Sequence, residues 1–196
     1  AEAREETQRI EAHLAAALQV RGFRVRVNWQ PPVEYQEAGE VDVLAARDGH
    51  LFVLELKSTF VRESKQEAWL HCSTTLRKAG RQLLRKRVAV LGALAGDTVL
   101  QGALGLQAPP VPGQTHAWIV DTSIEGDHRL FSGCLKLSLE EMLMALRDDR
   151  QHLLDGLTWV DGPQAPCQPA ATLYPGGFDA TRFVDVIRCQ AVWSDS

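Results

Sequence analysis

Gly39-Glu40-Val41-Asp42-Val43-Leu44-Ala45-Ala46-Arg47-Asp48-Gly49-His50-Leu51-Phe52-Val53-Leu54-Glu55-Leu56-Lys57 consists of two apolar runs joined by Asp48-Gly49. That dipeptide favours the positive-φ backbone of a two-residue type I′ turn, so the stretch reads as a β-hairpin. The turn sets the register. If Arg47 pairs with His50, counting outward places Leu44 opposite Val53 and Asp42 opposite Glu55. Opposed residues have Cβ atoms roughly 4.5–5.5 Å apart, close enough for two carboxylates to share one cation. Period-2 alternation puts Lys57 on the face of Glu55, with Glu40 opposite it.

Charged residues on strands usually form a solvated face. Here both faces are otherwise apolar, Val41/Val43/Ala45 with Phe52/Leu54/Leu56 on one and Leu44/Ala46 with Leu51/Val53 on the other. Strands buried on both sides read as continuous hydrophobic runs. Ionised groups there are costly unless paired or metal-bound. The pattern points to Asp42 and Glu55, with the backbone carbonyl of Leu56, as hard oxygen ligands for Mg²⁺ or Mn²⁺, and to Lys57 as the nearby cation.

Residues Glu5 to about Val20 show helical spacing through Ile10, Leu14, Ala17 and Leu18, with Gly22 as a stop, and Phe23 to Trp29 alternates as a strand. Glu11 lies at the border of the apolar stripe, as either a snorkelling interface glutamate or a site residue. From about Trp69 to Leu94 the pattern predicts one long helix with Trp69/Leu70, Leu76, Leu83/Leu84, Val88 and Leu91 on its apolar side. Lys78, Arg81, Gln82 and Arg85 form a polar stripe beside it, and Arg85-Lys86-Arg87 reads equally as a solvated basic face.

An acid, a spacer of about a dozen residues and Glu55-Leu56-Lys57 together resemble the PD-(D/E)XK, or restriction-endonuclease-like, nuclease superfamily. Glu11-Ala12-His13-Leu14-Ala15-Ala16-Ala17-Leu18-Gln19-Val20-Arg21-Gly22-Phe23 resembles the first helix of its Holliday-junction-resolvase-like and Mrr-like members, and Gly39-Glu40-Val41-Asp42 is similar to the Gly-Glu-Ile-Asp of several relatives. The resemblance covers about residues 5 to 90. It implies an α/β fold with a restriction-endonuclease-like core: a central mixed β-sheet flanked by helices in the order αβββαβ. It also implies that Glu11 joins the metal shell, that Glu40 is an extra ligand, that Gln82 and Lys78 serve the catalytic centre, and that DNA is the substrate. The implied enzyme is a Mg²⁺-dependent endodeoxyribonuclease with catalytic residues Glu11, Asp42, Glu55, Lys57 and Gln82.

The chain carries a formal charge of −4, which excludes a uniformly basic nucleic-acid binder. Between Lys57 and Val88, however, nine Lys/Arg face two acids. From Ser138 to Ser196 the balance reverses, with four Arg and nine Asp/Glu. This asymmetry fits a phosphate-facing side on the second long helix, with Lys78, Arg81 and Arg85 as its contacts.

At 196 residues and 45% hydrophobic, the expectation is one domain, with a core over about 5–122 and a C-terminal extension over about 123–196. The start at Ala1 fits either methionine removal or excision from a longer protein. No apolar run reaches membrane-spanning length and no signal-peptide layout is present, so a cytoplasmic protein is expected. Cys72, Cys134, Cys167 and Cys189 lack zinc-ribbon spacing, and the six histidines lack metal-ligand spacing.

Thr115–Asp121 and Arg129 to Leu137 read as further strands. Ser138-Leu139-Glu140-Glu141 reads as a capping box opening a helix that buries Leu139, Met142, Leu143, Leu146 and Leu153, and Arg182 to Trp193 reads as a strand. Two other functions remain open on the residues: a toxin-type effector nuclease, acting on DNA or RNA and neutralised by a partner protein, and a non-catalytic nucleic-acid-binding or assembly module.

Overall fold

The computed structural model describes residues 2–58, 64–151 and 170–194. Helix α1 (Glu2–Val20) leads into β1 (Arg24–Trp29), a 3-10 turn (Val33–Ala38), β2 (Val41–Arg47) and β3 (His50–Lys57). Then come α2 (Lys65–Leu70), a π-helical turn (His71–Leu76), α3 (Arg77–Gly96) and α4 (Thr98–Ala103). The chain continues through β4 (Thr115–Asp121), β5 (Leu130–Phe131), β6 (Cys134–Ser138), α5 (Leu139–Arg147) and α6 (Ala180–Arg188). The six strands form one mixed sheet in the order β1-β2-β3-β4-β6-β5, with β3/β4 and β4/β6 parallel and the other neighbours antiparallel.

The β2–β3 hairpin has the register that its turn dictates. Asp48 (φ 51°) and Gly49 (φ 77°) both occupy the left-handed region required by a type I′ turn, and Arg47 pairs with His50, Ala46 with Leu51, Leu44 with Val53. Alternation then splits the apolar residues between two layers. Val43, Ala45, Phe52, Leu54, Trp118 and Val120 meet α1, α5 and α6 through Leu14, Leu18, Met142, Phe183 and Ile187. Leu44, Ala46, Leu51, Val53 and Ile119 meet the π-helical turn, α3 and α4 through Leu76, Leu83, Val90, Leu94 and Leu100. Val41, beyond the last paired residues of the hairpin, joins this second layer rather than the first.

Helix α3 lies close to the sheet because its inner face is built from small residues, Ala79, Gly80, Ala89 and Ala93, interleaved with Leu83, Val90 and Leu94. A Cβ at Gly80 would collide with the carbonyl oxygen of Phe131, so glycine alone permits that approach. The inner face is thereby rotated from the predicted stripe: Leu76 and Leu83 are buried, whereas Trp69, Leu70, Leu84 and Val88 are exposed. The single predicted helix is interrupted by the π-helical turn.

Beyond residue 122 the chain belongs to the same sheet, since β6 pairs with β4. Ser138 caps α5 by accepting the Glu141 N–H at 3.2 Å, but the Glu141 carboxylate turns to His128 rather than back to the cap. Leu153, Cys167 and His152 lie outside the described residues. The strand expected over Arg182–Trp193 is instead helix α6 followed by a turn. Ala180, Phe183, Val184 and Ile187 recur at helical spacing, and Asp179 caps the helix by accepting the Arg182 N–H at 2.7 Å.

Where α6 meets the sheet, His50 and His116 stack with ring centroids 5.2 Å apart. His50 Nδ1 is 2.9 Å from His116 Nε2, and His50 Nε2 is 3.1 Å from Thr181 Oγ1. Burial, then His50 and Arg188, push the His116 pKa down to about 4. Burial also lowers that of His50, although Asp48, Asp179 and Asp185 oppose it. The unfolded chain therefore takes up protons that the folded chain refuses, so stability is complete above the ordinary histidine value and falls as pH drops towards about 4. His116 alone accounts for roughly 3 kcal/mol of that loss. Denaturant titration from pH 7 to pH 4 should show the fall, and His116→Phe should flatten it.

Candidate active site

The catalytic candidates gather at the end of the hairpin away from its turn. The β2–β3 ladder runs from Arg47–His50 to Val43–Leu54 and stops there, one pair short of placing Asp42 against Glu55. Asp42 Oδ2 instead accepts the Leu56 N–H at 2.7 Å, so a side chain takes over where the backbone pairing ends. Glu55 Oε1 accepts from Lys57 Nζ at 2.7 Å, and its Oε2 accepts from Lys86 Nζ. Lys86 Nζ also lies 3.6 Å from Asp42 Oδ1. One ammonium from α3 thus spans the two carboxylates, and a second, on β3 itself, braces Glu55.

The cluster is buried on its α3 side and open to solvent on the other. Glu55 and Lys86 are buried, while Asp42 and Lys57 keep part of their side chains in solvent. Burial, followed by the Glu55 charge, raises the Asp42 pKa; Lys86, the Leu56 N–H and Lys57 pull it back. Two acids and two amines leave the cluster formally balanced, at the cost of holding like charges close together.

Glu11 reaches the edge of this group from α1 and is 6% exposed. Burial raises its pKa against the hydrogen bond from the Asn28 side chain, and Asp42 and Glu40 raise it further while Lys86 lowers it. Its charge is felt at the cluster, although among the described residues it makes no direct bond to Asp42 or Glu55. Asn28, at φ 53°, holds a left-handed backbone that asparagine tolerates better than most residues.

Other expected members stand apart. Glu40 is exposed and accepts from the Gln30 amide, leaving Lys57 to register with Asp121 of β4. Gln82 is half-buried one turn before Lys86, with no hydrogen bond to the carboxylates among the described residues. Lys78, Arg81 and Arg85 are exposed along α3. Leu56 contributes its N–H to Asp42, and its carbonyl, the expected third metal ligand, belongs to the same residue of β3.

Lys86 is the residue that the sequence reading did not separate from its neighbours Arg85 and Arg87. It sits three residues after buried Leu83 and three before buried Ala89, on the apolar side of α3, a phase that distinguishes it from Arg85 and Arg87. A second buried pair was also missed: His71 Nε2 lies 2.9 Å from Asp121 Oδ2, joining the π-helical turn to the end of β4. Among the described residues no group of three or more His, Cys, Asp or Glu side chains is close enough to form a ready-made metal cage. Two carboxylates nevertheless fit Mg²⁺, a hard cation that retains several waters and needs only one or two protein carboxylates. Comparison with known proteins finds no match to a family model, a curated protein or a solved structure.

Proposed function

We propose that the chain is a Mg²⁺- or Mn²⁺-dependent nuclease with a restriction-endonuclease-like core that hydrolyses phosphodiester bonds in DNA. The observation that carries this reading is the Asp42–Glu55 pair, held with two lysines in a half-buried cluster where a hairpin ladder stops. The element order helix, three strands, helices, strand supports the core assignment.

Asp42 and Glu55 would hold the metal through carboxylate oxygens, with Glu11 adding negative charge at the rim. When bound, the metal supplies polarisation of the scissile phosphate and a lowered pKa for a bound water. Lys57, bonded to Glu55 and partly open to solvent, places its ammonium where it offsets charge developing on the phosphate. Lys86 bridges the two carboxylates from the buried side.

A second reading has an observation of its own. Lys57 and Lys86 together balance the charges of Asp42 and Glu55, which is what a nuclease fold retained as a non-catalytic binding or assembly module would need. One experiment separates them. Purified protein is incubated with plasmid, linear and single-stranded DNA and with RNA, in Mg²⁺, Mn²⁺ or EDTA. Cleavage that requires either metal and stops in EDTA is the expected result; nucleic-acid binding without cleavage in any metal favours the module.

A further inference from the structure

We propose that Trp69 on α2 stacks on an unpaired base and directs a single-stranded segment of nucleic acid to the catalytic end of the sheet; this rests on the nuclease reading above. Trp69 is 68% exposed and Leu70 beside it 52% exposed. Helix α2 has no buried residue, so nothing in its own packing accounts for the placement of this large apolar pair in water. An indole left largely in water is available to stack on a ligand.

The position is fixed rather than incidental. His71 bonds to Asp121 at 2.9 Å, and Asp121 is the register partner of Lys57. The π-helical turn that makes this reach possible is stabilised where the Leu70 carbonyl accepts from Thr74 Oγ1 at 2.6 Å and Ser73 Oγ at 3.2 Å. The His71 anchor fixes this segment at the strand end that carries the proposed catalytic lysine, and Trp69, two residues earlier and so on the opposite side of the helical segment, faces solvent.

Charge identifies the occupant. The exposed charged residues of α2 and of the first residues of α3 are Lys65, Arg77 and Lys78 against Glu67, three cations to one acid. An apolar protein partner gives no reason for that basic surround. A nucleobase flanked by phosphates fits both properties. In a duplex the base faces are stacked on each other, so an indole gains most from a strand whose bases are free.

The test uses the full chain in an Asp42→Ala background with Mg²⁺, so that strands stay intact. Fluorescence anisotropy is measured with a labelled DNA single strand, the same strand in a duplex, and an RNA strand. Trp69→Ala should weaken binding to the single strand by on the order of tenfold, Trp69→Phe should retain most of it, and duplex affinity should stay within about twofold. Single-strand binding should also quench indole fluorescence in the parent more than in Trp69→Phe. The melting temperature should not move, since Trp69 lies outside the core. Unchanged single-strand affinity in Trp69→Ala, or equal losses on single strand and duplex, would overturn the stacking role while leaving the nuclease reading standing. A parent that binds no nucleic acid at all would overturn both. The RNA arm shows whether the base or the sugar sets the preference: equal losses on DNA and RNA support stacking on the base, whereas a loss confined to RNA would overturn the assignment to DNA.

Discussion

Lys86→Met is expected to lower the unfolding free energy by about 3–5 kcal/mol at neutral pH, the usual consequence of removing one partner from a buried ion pair. Methionine keeps an unbranched apolar stem on the inner face of α3 but withdraws the charge shared by Asp42 and Glu55. The Asp42 pKa is already raised by burial and by Glu55 with Lys86 in place, so in the variant it should rise further. A folded-state carboxyl pKa above the unfolded value means the folded chain holds a proton that the unfolded chain releases. The deficit should thus be fully present at neutral pH and should shrink as pH falls towards the ordinary carboxylate range. At roughly 2–4 °C per kcal/mol for a chain of this size, the midpoint of thermal unfolding should drop by about 10 °C. Mg²⁺ should recover more of that loss in the variant than it adds to the parent, because a cation that binds only the folded state stabilises by mass action. A drop of only a degree or two, the same at every pH, would show that Lys86 makes no more than a surface ion pair.

The parts of this fold that were legible were those governed by local backbone chemistry. Asp48-Gly49 admits few turn types, and the turn carried the register outward through Leu44–Val53 to Val43–Leu54. The end of the ladder was not legible, because a side chain decides it: the Asp42 carboxylate captures the Leu56 N–H. Helical phase was harder. Large residues suggested an apolar stripe through Trp69, Leu84 and Val88, but close approach to the sheet is decided by Gly80 and the alanines, which carry little hydrophobic signal. With the phase rotated, Lys86 hid between two arginines as one of three basic residues, although only it points inward. The same difficulty misassigned Arg182–Trp193, where adjacent apolar residues read as a strand and the spacing of Phe183, Val184 and Ile187 with the Asp179 cap shows a helix. His71 and Asp121 could not have been paired from sequence, since fifty residues separate them and a π-helical turn sets the contact.

Lys57→Met should slow cleavage by two to three orders of magnitude while leaving the fold nearly intact. Lys57 bonds to Glu55 at 2.7 Å but keeps about a quarter of its side chain in solvent, so its loss leaves Glu55 still paired with Lys86. That asymmetry separates the two lysines: Lys86 is buried between the carboxylates, whereas Lys57 keeps part of its side chain in solvent, where on the proposed nuclease reading it would meet a substrate phosphate. Removing one preorganised contact to charge that develops in the transition state costs roughly 2.7–4 kcal/mol, which sets the size of the rate loss. Metal affinity should change little, since both carboxylates remain. Single-turnover cleavage at saturating Mg²⁺ separates this effect from substrate binding, and calorimetry with Mg²⁺ or Mn²⁺ checks that the metal still binds. Equal single-turnover rates for the parent and Lys57→Met would remove Lys57 from the chemistry. Such a result would point either to a contaminating nuclease or to a fold whose lysines serve only to neutralise Asp42 and Glu55.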